Sequence, residues 1–148
     1  MKNIYSNIYK PTNNNLTKAK VIVDKGGVVA VPTETVYGLA ANAYNNKAIQ
    51  KIYSLKRRPS RNPLIVHFKN IESIKKEAVI NKNFLKLVKK FSPGPLTYIL
   101  KKKKISKISK LANKGLDTIA VRIPKEKNII KLLSILKYPL AAPSANKS

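Results

Sequence analysis

The sequence contains no cysteine, and among its 148 residues there are only one histidine and six acidic side chains. The first absence excludes disulfides, thiolate metal sites and a cysteine nucleophile together, although it does not fix a redox compartment. A lone histidine, His67, cannot build a metal site by itself, and no protein-ligated metal is expected. Apolar residues fall in short clusters, and no run approaches the ~20 residues a bilayer span needs. The polar, Asn-rich stretch 1–15 has no continuous apolar segment and does not read as a secretory signal. A cytoplasmic protein without membrane association is the expectation. Two catalytic signatures are missing as well. There is no Gly-rich nucleotide loop of the Walker or dinucleotide type, and no nucleophile elbow or serine–histidine–acid order. Catalysis would therefore rest on positioning and charge stabilisation rather than on a covalent intermediate.

What is abundant is positive charge: 31 basic residues against 6 acidic ones, for a net charge of +25. Such a field attracts polyanions, nucleic acid foremost. A competing explanation is codon bias, because Lys, Asn and Ile all use AT-rich codons and all are frequent here. The arginines, Arg57, Arg58, Arg61 and Arg122, are more informative, since Arg suits bidentate anion recognition.

With 43% apolar residues, the chain suits one globular domain over residues 1–148. Helical spacing predicts helices over 16–25, stopped by Gly26-Gly27, and over 46–55, 71–79, 83–91 and 128–136. Short β-branched or alternating runs predict strands at 28–31, 64–66, 96–100, 118–123 and 140–142. Ser92-Pro93-Gly94-Pro95 reads as a rigid turn. Alternation of strands and helices predicts an α/β sheet with helices packed against it, and the irregular spacing favours a mixed sheet over a simple doubly wound one.

Several segments could carry chemistry. Pro32-Thr33-Glu34-Thr35-Val36-Tyr37-Gly38-Leu39 follows a buried strand, where ligands bind in α/β sheets. Its hydroxyls and carboxylate suit a small polar ligand, and Gly38 would permit close backbone approach. The bland alternative is a capped turn leading into a helix. Lys56-Arg57-Arg58-Pro59-Ser60-Arg61-Asn62-Pro63 is a basic loop stiffened by prolines, suited to a triphosphate, against the alternative of a solvated charge run. His67 ends a strand and, taken alone, is more simply a structural hydrogen bonder. Arg122 interrupts an otherwise apolar strand and needs an anionic partner. With only six acids in the chain, a ligand carboxylate is a reasonable one. Pro143-Ser144-Ala145-Asn146 presents small polar side chains after a strand end.

In order along the chain, these segments, together with Pro93-Gly94-Pro95-Leu96-Thr97 and Ala120-Val121-Arg122-Ile123-Pro124, resemble the YrdC family of threonylcarbamoyl-AMP synthases from about Val28 to the last residue. The resemblance implies a twisted mixed sheet with surrounding helices and a basic concave face. It implies threonine contacts from Thr35, His67, Arg122 and Ala142, with Arg122 on the carboxylate. ATP contacts would come from Lys56, Arg58, Asn62, Thr118 and Ser144; Thr33, Tyr37 and Asn146 are additional site candidates assigned to neither ligand. The implied reaction is that of a nucleotidyltransferase. L-threonine, bicarbonate and ATP, with Mg²⁺ accompanying the nucleotide, give L-threonylcarbamoyladenylate and pyrophosphate. Downstream transfer proteins would use that product to modify adenosine 37 of tRNA. The family pattern continues past the Ser-x-Asn motif with a glycine and further ATP contacts, so the chain reads as short at its C-terminus. The main alternative is a non-catalytic module of the same fold that binds tRNA or double-stranded RNA. Carbamoyl transfer in hydrogenase maturation would bring an acylphosphatase-like domain and cysteine-rich zinc fingers, and neither is in this sequence.

Overall fold

The computed structural model describes residues 7–57 and 62–146. In chain order the elements are α1 (Asn13–Asp24), β1 (Val29–Val31), β2 (Gly38–Asn42), α2 (Asn46–Lys56), β3 (Ile65–His67), α3 (Ile71–Glu77), α4 (Lys82–Phe91), β4 (Tyr98–Lys101), β5 (Thr118–Arg122), α5 (Lys127–Ile135) and β6 (Leu140–Ala141). The strands form one sheet in the order β1-β2-β6-β3-β5-β4. Among the described residues only the β3–β5 pair is parallel, with Ile65 opposite Ala120 and His67 opposite Arg122; the other pairs are antiparallel. The expected mixed α/β sheet is therefore the observed architecture.

Side-chain caps explain where the helices begin. Asn45, Asn70 and Asn81 accept from the backbone N–H groups of Ala48, Ser73 and Phe84, so part of the Asn richness does structural work at N-caps. Thr12 caps α1, and Glu126 caps α5 by accepting from Asn128 and Ile129. The helix read over 71–79 ends earlier, at Glu77, because Ala78 turns extended to bridge with Lys102.

The bland alternative at 32–39, a capped turn into a helix, is not what forms. The loop at 32–37 does not lead into a helix; residues 38–42 form β2, which pairs with both β1 and β6. Gly38, Ala40 and Ala41 are poor strand formers. Pairing on both sides and a place in the core override that propensity.

Strand alternation divides the core between the two faces of the sheet. Ala41, Val66, Tyr98, Ile119, Val121 and Ala141 point to one face, packed by Ile49 and Ile52 of α2, Ile74 of α3 and Phe84 and Val88 of α4. Ala40, Leu140 and Ala142 point to the other, packed by Val23 of α1 and Ile129, Leu132 and Leu133 of α5. Each fully buried Leu or Ile contributes about 1.5–3 kcal/mol. Buried Glu77 accepts from Tyr44 Oη (2.5 Å), Ser106 Oγ (2.6 Å) and the Lys107 N–H (2.8 Å), which ties α3 to two loops.

On the second face, α1 and α5 stop short of β3, β5 and β4. Ile65, Thr118, Ala120 and Arg122 remain half-buried there, and Ile99, opposite Ala120, is 67% exposed. No helix among the described residues is long and apolar enough to cross a membrane.

Candidate active site

Arg122 is the last residue of β5 and projects to this open half-face. Thr97, just ahead of β4, accepts from both Nε (3.0 Å) and Nη2 (2.9 Å) of its guanidinium. Nη1 lies 3.7 Å from Oε1 of Glu34 in the β1–β2 loop, with the two side chains only 14% and 15% exposed. Sequence reasoning singled out Arg122 but did not place Thr97 or Glu34 beside it. Scarcity of acids suggested a ligand carboxylate as the partner of Arg122, yet one of the six acids is already adjacent. That pairing spans 88 residues of chain, and only the folded path of the β1–β2 loop reveals it.

The pairing of Glu34 with Arg122 is incomplete. Glu34 Oε2 accepts from the Lys125 N–H at 3.2 Å, but Oε1 is buried without a hydrogen-bond partner among the described residues. His67 sits next to Arg122 in register, 1% exposed; the backbone of Ile65 and Leu140 lies near its ring, but neither ring nitrogen has a partner in good hydrogen-bond geometry. Burial, and then the Arg122 charge, push its pKa down to about 4 against the weaker opposing pulls of Glu34 and of the Ile65 and Leu140 backbone. The ring is therefore neutral at neutral pH. Burial of unpaired polar atoms is costly, and here several such atoms gather around one guanidinium.

From this end of the sheet, the last strand leads to the other candidates. Leu140 of β6 is opposite His67, and the Ala142 N–H donates to the Ile65 carbonyl. Ser144 then bridges to Gly38. A side chain at Gly38 would put a Cβ 3.3 Å from that of Ala142, so glycine is what lets β2 lie this close to the 142–144 segment. The Ala145 N–H donates to the Tyr37 carbonyl, and Lys56 Nζ, at the end of α2, donates to the carbonyls of Ser144 (2.7 Å) and Asn146 (2.6 Å). Asn62 precedes β3 and Thr118 begins β5, so both lie at the opposite end of the parallel pair from Arg122. Thr118 is roughly 13 Å from Arg122 along the strand. Residues expected at threonine (His67, Arg122) and at ATP (Asn62, Thr118, Ser144) thus segregate along the sheet, with Ala142 between.

Thr33 organises its own loop: its hydroxyl accepts from the N–H groups of Thr35 (3.3 Å) and Val36 (3.2 Å) and lies 3.2 Å from the Thr35 hydroxyl. Thr35 is thereby oriented beside Glu34, and Tyr37 is 61% exposed. Arg58, the remaining candidate, lies outside the described residues, as do Pro59, Ser60 and Arg61.

Comparison with known proteins gives a consistent picture. The profile of the Sua5/YciO/YrdC family, described as "Telomere recombination", matches residues 21–148. A threonylcarbamoyl-AMP synthase of Pyrococcus abyssi is 44% identical over 129 residues, covering 85% of this chain and 37% of its own length. One from Psychromonas ingrahamii is 34% identical over 138 residues, covering 91% of this chain and 71% of its own. The crystal structure of P. abyssi Sua5 complexed with L-threonine superposes with a TM-score of 0.88 at 40% identity, over 93% of this chain and 40% of that one. The chain therefore spans well under half the length of the P. abyssi protein.

Proposed function

The chain belongs to the Sua5/YciO/YrdC family, and from that premise we propose that it carries the catalytic site of a threonylcarbamoyl-AMP synthase, a nucleotidyltransferase. The threonine amine adds to bicarbonate with loss of water, giving a carbamate. A carbamate oxygen then attacks the α-phosphorus of ATP, forming L-threonylcarbamoyladenylate and expelling pyrophosphate. Transfer proteins downstream would use the adenylate to modify adenosine 37 of tRNA, in a cytoplasmic setting where these substrates meet.

The observation that carries this reading is the Arg122 guanidinium. It is held by Thr97 through Nε and Nη2, mostly out of water, on the open half-face of the sheet. A guanidinium so placed binds a carboxylate far more strongly than one in bulk water. In this reading Arg122 takes the threonine carboxylate. Neutral His67 and the Thr35 hydroxyl face the rest of the amino acid, and the backbone at Ala142 borders it. Toward the Ser144 end, Lys56, Asn62 and Thr118 meet the nucleotide, and the family resemblance adds Arg58 as a further ATP contact. Fixed cations there stabilise the charge that gathers as pyrophosphate leaves. Magnesium comes in with ATP. In this reading the ion is held by phosphate oxygens and water.

A pyrophosphate-release assay tests the proposal. Release should require L-threonine, bicarbonate and ATP together, fall when serine replaces threonine, and vanish in Arg122→Ala. No release from the intact protein with all three substrates, combined with retained affinity for duplex RNA, would favour the binding-module alternative suggested by the +25 charge.

A further inference from the structure

The loop carboxylate of Glu34 has no part in the scheme above, yet it faces the same guanidinium. Its Oε1 is buried, accepts no hydrogen bond among the described residues, and stands 3.7 Å from Arg122 Nη1. That separation is too long for a hydrogen bond. Its other oxygen is anchored by the Lys125 N–H, so the carboxylate is held in place while Oε1, closed to water, is left without a donor. Thr97 similarly occupies Nε and one side of Nη2 and leaves the Nη1 edge of Arg122 free. The result is an anion and a cation fixed side by side, each with an unused face.

A ligand carboxylate arriving alone at Arg122 would sit against the negative charge of Glu34, which opposes binding. A zwitterion removes that conflict. Its carboxylate and ammonium are separated by a single carbon, a spacing comparable to the gap between the two side chains. Resting on the proposed function, we propose that Glu34 is a specificity-determining residue that accepts the α-amino group of the amino-acid substrate while Arg122 binds its carboxylate. Glu34 Oε1 receives an N–H from the ammonium; the ammonium gives one proton to solvent, the free amine adds to bicarbonate with loss of water, and Oε1 then receives the carbamate N–H. The nitrogen thereby stays in one place through the first chemical step. An α-hydroxyl can still donate to Oε1, but it carries no positive charge, so the buried carboxylate keeps only a weaker hydrogen bond and loses its counter-ion. The pair therefore selects free α-amino acids over α-hydroxy acids of the same shape.

Calorimetric titration tests this with L-threonine and with 2,3-dihydroxybutanoate of matching configuration, which replaces the amine by a hydroxyl. The wild-type protein should prefer threonine by about tenfold or more. Glu34→Gln, nearly isosteric, should weaken threonine by a similar factor and erase most of the preference, with an unchanged melting temperature. Three results would overturn the inference: unchanged threonine affinity in the variant, tighter threonine binding (Glu34 then merely competes for Arg122), or weaker binding with the preference intact (Glu34 then acts only by orienting Arg122). If the wild-type protein binds neither compound, it is the proposed function itself that fails.

Discussion

Thr97 Oγ1 accepts two hydrogen bonds from one guanidinium, from Nε and from Nη2 of Arg122, at 3.0 and 2.9 Å. A cation accepting this help is held in one rotamer, and its ordering entropy is spent before a ligand arrives. Thr97→Val keeps the shape and removes the acceptor. Losing hydrogen bonds to a charged group costs about 1.5–3 kcal/mol, so KM for threonine should rise by about tenfold or more. KM for ATP should stay close to wild type, since the nucleotide end of the sheet is unaffected. Thr97→Ser should restore most of the loss. An equal rise in both KM values would mean that Thr97 serves the fold rather than Arg122.

The hydrophobic patterns that announce α2, α4, α5 and β5 are strong and local, and the structure has each where the pattern puts it within a few residues. β2 is different. Gly38, Ala40, Ala41 and Asn42 carry no strand signal of their own, and they become a strand because β1 and β6 flank them. The site divides the same way. Arg122 was conspicuous as a charge inside an apolar strand, and the end-of-strand position of His67 was readable. Thr97 and Glu34 were unremarkable where they stand in sequence. Strand pairing sets Thr97 beside Arg122, since Tyr98 lies opposite Val121, whereas the β1–β2 loop starts from the other end of the sheet, at Gly38, and reaches Arg122 only by folding back over the open half-face.

His67 links the site to acid stability. Burial and Arg122 hold its pKa near 4, against 6.5 for a free histidine, so the folded state stabilises the neutral ring. Its contribution is fully present above pH 6.5 and is lost as pH falls from 6.5 through 4, where the unfolded chain binds a proton the folded one refuses. A shift of this size corresponds to roughly 3 kcal/mol. In urea titrations between those pH values, unfolding free energy should fall more steeply for wild type than for His67→Gln, by up to one proton's worth of slope. Identical slopes would show that the ring is protonated in the folded protein.

Lys56 offers a separate handle on the nucleotide end. It is the last residue of α2, where the negative end of the helix dipole favours a cation. Its ammonium donates to the carbonyls of Ser144 and Asn146, so one side chain fixes the segment that carries Ser144 against α2. Lys56→Met keeps the aliphatic stem and removes those donors. With the segment released and a cation lost, KM for ATP should rise by about tenfold or more, whereas threonine binding at the Arg122 end should change by less than about threefold. Lys56→Arg, which keeps the charge but not the geometry, should fall between the two. Initial-rate measurements with one substrate varied and the others saturating separate these outcomes. A larger effect on threonine than on ATP would place Lys56 with the amino acid and reverse the order of the two ligands along the sheet.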